Sequence, residues 1–155
     1  MGRTQRDVFH VLLASAVTKT ANFSAPAFEP ELDRFSELVV TLQVTAASGT
    51  ADFYLTTGDG YGSWDLVHFP QVTAGPKTFT ARLVSQNTIP ATVTGAAPGV
   101  SANDPSVLQT DTAGTAQGIR TLGAGLVRHG PWGSYLGYEL VASASITYTL
   151  SVQAR

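Results

Sequence analysis

Three histidines, His10, His68 and His129, are the side chains suited to moving a proton near neutral pH or to ligating a metal, and they stand far apart in the chain. No metal-site or triad spacing joins them, so each reads as an ordinary strand or loop residue. No serine lies in a GxSxG elbow, which leaves a hydrolase of that design without support. Gly123-Ala124-Gly125 has the look of a nucleotide loop but lacks its lysine, and between strand-like flanks it is expected to be a tight bend. Asp59 and Asp65, around the sequence GDGYG, could offer oxygens to calcium, but the alternating acidic pattern with a closing glutamate is missing. Turn chemistry accounts for both aspartates. Four glutamates and seven aspartates leave paired carboxylates for glycoside hydrolysis open, because their separation is set only by folding. Tyr54, Tyr61, Trp64, Trp132, Tyr135 and Tyr138 could make a sugar-stacking platform. The competing reading puts Trp64 and Tyr135 in the core or between sheets, where aromatic side chains bury the most area. No residue is assigned a catalytic, cofactor-binding or metal role, and the expectation is a non-enzymatic chain without a cofactor.

The composition narrows the classes further. A chain of 155 residues is expected to be one domain, residues 1–155, large enough to bury a core without staples. With no cysteine, neither a disulfide framework nor a thiolate metal site is available. Charged residues make up 13% of the chain, about half the usual share. Threonine, alanine, glycine and serine take their place, giving a hydroxyl-rich surface or one covered by neighbours. The net charge is −2, and seven arginines and two lysines are scattered without the basic stripe that nucleic acid requires. No nucleic-acid partner is expected. No stretch approaches the roughly 20 apolar residues of a membrane helix, so no membrane partner is expected either. Residues 8–17 are apolar and follow Arg3 and Arg6, but His10 interrupts them and no convincing cleavage site follows. They read as a strand or arm, and both ends of the chain are expected to be held in place.

The elements that would position these groups are all strands. Leu38, Val40, Leu42 and Val44 alternate with Val39, Thr41, Gln43 and Thr45, which buries one face and leaves the other mostly polar. Residues 52–57 are expected to pair back on that strand after a turn at 47–50. Residues 64–69 follow, with Trp64, Leu66 and His68 on one face and Asp65, Val67 and Phe69 on the other, and then residues 78–84. Residues 8–16 form a first strand candidate, and 22–33, with Pro26 and Pro30 around Phe28, run along an edge or between sheets. Order resumes at 119–127, 134–141 and 143–152, the last alternating Ile146, Tyr148, Leu150 and Val152 with Thr147, Thr149 and Ser151. Residues 1–7 read as an extended arm. Residues 89–118, rich in Pro, Gly, Ala, Ser and Thr, read as a long loop of the kind that usually signals function or disorder. With no helix-period segment, the fold expected is all-β, an antiparallel β-sandwich of jelly-roll-like type with an extended N-terminal arm and a long loop.

Residues 44–50 (VTAASGT), 58–64 (GDGYGSW), 71–75 (QVTAG) and the C-terminal GSYLGYELV and ASITYTLSV, the latter pair read as a last hairpin, carry a resemblance. In these turns and strands, over about two thirds of its length, the chain is similar to capsid decoration (auxiliary or cement) proteins encoded among tailed-bacteriophage head genes. The resemblance implies a β-sandwich on the outer capsid surface of the virion, with the major capsid protein as partner and a homotrimer at local threefold positions. Residues 1–7 and 89–118 depart from the shared pattern and are expected to be the elements that grip the shell. A carbohydrate-binding module and a phage tail or connector subunit are the alternatives.

Overall fold

The computed structural model describes residues 9–25, 32, 35–58, 63–84, 124–127 and 132–155. The proposed arm at 1–7 and loop at 89–118 lie outside them, as do Tyr61, Asp59 and His129. Nine strands are described: β1 (Phe9–Lys19), β2 (Phe23–Ser24), β3 (Glu37–Ala47), β4 (Ala51–Gly58), β5 (Ser63–His68), β6 (Lys77–Val84), β7 (Leu126–Val127), β8 (Tyr135–Ala142) and β9 (Ile146–Ala154). They form two antiparallel sheets, β1-β9-β3-β6 and β2-β8-β4-β5-β7. The all-β sandwich expected from the alternation is therefore present. The pairs β1·β9, β2·β8, β3·β6 and β4·β5 nest one inside the next along the chain, the winding of a long hairpin folded over on itself.

Alternation builds the core between the sheets. Leu38, Val40, Leu42 and Val44 on β3 and Ile146, Tyr148, Leu150 and Val152 on β9 are buried from one side. Phe53, Leu55, Leu136, Tyr138 and Leu140 meet them from the other. The centre is aromatic: Tyr148 packs edge-on against Phe53 at 4.8 Å between ring centroids, and its hydroxyl lies 3.0 Å from that of Tyr138. These two phenols, one from each sheet, satisfy each other where water cannot reach.

Two pairings differ from the sequence reading. Residues 52–57 do not return along β3; β4 lies in the opposite sheet, between β5 and β8. The last two strands are likewise no hairpin, since β8 and β9 belong to different sheets. In both places the short turn crosses between the sheets, and the two crossings hold each other. Ser48 N donates to Ser145 O at 2.9 Å and Ser143 N to Thr50 O at 2.9 Å. Thr50 N and its hydroxyl both donate to Ser143 Oγ, at 2.9 and 3.0 Å. Gly49 is required by this contact, because a Cβ there would sit 2.7 Å from Ala144 Cβ and Ser143 Oγ. The Ser-Gly turn supplies the bend, and β4 crosses to the other sheet, where Phe53 and Leu55 are buried in the core.

Other boundaries shift. The first strand runs on to Lys19, and Phe23–Ser24 pair with β8 at the sheet edge where a connection was expected. Of the segment expected at 119–127, Leu126–Val127 pair with β5, and residues 119–123 lie outside the described set. Gly125 has φ 78° and donates its N–H to His68 O at 2.8 Å, a bend that glycine adopts without strain, as expected for that run. Ala16, by contrast, has φ 46° within β1, where the register with β9 slips. A left-handed alanine costs roughly 1–2 kcal/mol, and glycine's extra unfolded-state freedom returns about 0.4–1. Ala16→Gly is therefore expected to stabilise the fold by about 0.5 kcal/mol, read as a raised urea midpoint at unchanged slope.

Candidate functional site

The outer face of the five-stranded sheet carries Asp52, Tyr54, Asp65 and His68. A register shift between Leu55 and Thr56 against Val67 and Asp65 places one extra residue, Leu66, in β5. That bulge separates the alternation on its two sides. Trp64, opposite Thr57, and Val67, opposite Leu55, share the core side, whereas His68, opposite Tyr54, faces outward. Trp64, Leu66 and His68 therefore do not share one face, contrary to simple alternation. Asp65 is no turn residue either: it lies within β5, fully buried, opposite Thr56.

His68 is sandwiched in place. Its ring stacks on Tyr54 at 4.1 Å and 26°, and its Nε2 lies 3.6 Å from Asp52 Oδ1, longer than a hydrogen bond. Asp52 Oδ2 accepts a 2.9 Å hydrogen bond from Gln71 Nε2. Gln71 belongs to the crossing from β5 to β6, which is also pinned by the Ala51–Val72 backbone pair at 2.8 and 2.9 Å. Histidine and tyrosine are both under 10% exposed. The arrangement ties a crossing to its sheet. Among the described residues, no group of three or more His, Cys, Asp or Glu could hold a metal. His10 is exposed on β1, in the other sheet, so the two described histidines do not converge.

Of the aromatic residues considered for sugar stacking, the five that are described do not gather on one face. Tyr138 faces the core and Tyr54 the outside of the same sheet, while Trp64 and Trp132 are half-buried against the core cluster. Tyr135, opposite Gly58, is half-buried on the outer side.

The four-stranded sheet presents a different surface. Its outer face carries Thr18, Thr147, Thr149, Ser151, Thr41, Gln43, Thr78 and Thr80, uncharged over most of its area. Thr18 and Thr147 hydroxyls are 2.8 Å apart across β1 and β9. Charge is concentrated at one corner. Glu37 accepts hydrogen bonds from Arg82 Nε at 2.7 Å and Nη2 at 3.3 Å, and lies 3.4 Å from Arg155 Nη2. The hydrogen bond to Glu37 and its negative charge raise the already high pKa of Arg82, so its guanidinium stays charged and paired with Glu37. Backbone bonds from Glu37 N to Arg155 O (2.9 Å) and Arg155 N to Glu37 O (3.0 Å) hold the C-terminal residue against β3, as expected for that end.

The same corner marks one end of the sheet. Phe9 pairs with Ala154, Ala154 with Leu38, and Leu38 with Leu83, a single row across all four strands. The start of β1 and the end of β6 thus lie three strand spacings apart, about 14 Å. The large apolar side chains exposed among the described residues, Leu12 at 58% and Val84 at 37%, both belong to these two strands. Neither the convergence of these ends nor the Glu37 clamp has a local sequence signal, because both depend on the order of strands. Among the described residues no helix is long and apolar enough to cross a membrane. No protein-family model, curated protein or solved structure matches the chain.

Proposed function

We propose that this chain is a virion structural protein that binds the outer surface of an icosahedral capsid and stabilises the shell, with the major capsid protein as its partner. The observation that carries the reading is the row from Phe9 to Leu83. It brings the point where residues 1–8 join β1 and the point where residues 85–123 leave β6 to one end of one sheet. Two segments rooted about 14 Å apart can engage one partner surface at once, and each then raises the effective concentration of the other. A rigid sandwich with a sparsely charged, hydroxyl-rich face suits a scaffold for such segments. The nested winding supports this without deciding it, since jelly rolls also serve lectins and cupins. The resemblance to phage decoration proteins supplies the partner class and the proposed homotrimer, in which a threefold axis repeats each contact three times.

The test uses undecorated shells. Deleting residues 1–7, or replacing 89–118 with a short turn, is expected to weaken binding and to lower the melting temperature of the decorated shell. If both variants bind and protect shells as the parent chain does, the reading is wrong.

A further inference from the structure

We draw no further inference here: the strongest candidate, the outer face of the four-stranded sheet, where Leu12 lies exposed at the end of the row Ser151, Thr41 and Thr80, is a surface patch for which nothing in the structure shows what covers it.

Discussion

Replacing Gly133 with alanine is expected to cost more than about 3 kcal/mol, beyond the usual range for overpacking. The residue enters β8 hard against the end of β4, and a Cβ would fall onto the carbonyl carbon and oxygen of Gly58 and 2.7 Å from its nitrogen. Relief would require main chain to move, and both sides are pinned. Gly133 N donates to the Thr57 hydroxyl at 2.9 Å, and that hydroxyl donates to Tyr135 O at 2.7 Å. Thr57 is fully buried, so moving the chain would also strand these groups away from water. Domains are stable by only about 5–15 kcal/mol, so the variant is expected to unfold at far lower urea or to be recovered insoluble. Gly137→Ala provides the contrast, since its Cβ would meet the Thr56 hydroxyl at 3.2 Å, a side chain able to give way, and Ala25 O at an ordinary 3.9 Å. Equal midpoints for Gly133→Ala and the parent would show that the two strands are not in this contact.

The second large effect is at Tyr148. Truncation to alanine removes a fully buried ring that touches Phe53 and Tyr138, at an expected cost of about 3–5 kcal/mol. Phenylalanine separates the hydroxyl from the ring. Tyr148→Phe leaves the Tyr138 hydroxyl buried without its partner and costs roughly 1–3 kcal/mol, whereas the double Tyr138→Phe/Tyr148→Phe variant falls close to the parent. Burial raises the pKa of both phenols from 10.0, and for Tyr148 the hydrogen bond to Tyr138 adds to the rise. The folded state thus holds these protons more tightly than the unfolded state. The resulting stability is fully present below pH about 10 and is lost as the pH climbs above it toward the folded-state values. Urea midpoints between pH 8 and 11 should therefore fall more steeply for the parent than for the double variant. Parallel curves would contradict the buried pair.

What could be read from the residues was the element, and less often its partner. β3 and β9 were legible because one row of each is wholly apolar and the other hydroxyl-rich, so period two is unambiguous. The turn at 47–50 was legible as a bend, but composition supplies only backbone freedom and is silent on which sheet receives the next strand. Asp65 looked like turn chemistry because it follows GDGYG; its place inside β5, opposite Thr56, depends on the β4–β5 register and the bulge at Leu66, which no alternation pattern announces. His68 and Asp52 are sixteen positions apart and meet only through the β4–β5 register. Tyr138 and Tyr148 were both visible as aromatic residues, but their hydroxyl contact required knowing that β8 and β9 face each other across the core.

Adding the purified chain to shells that lack it, and imaging them by electron cryomicroscopy, tests the proposed role most directly. The expected result is new density on the outer surface at symmetry-related positions, fitted by the nine-stranded sandwich with the Phe9–Leu83 end toward the shell. Shells that gain no outer density at saturating protein, or that carry it only at the portal or tail, would contradict a role in capsid decoration.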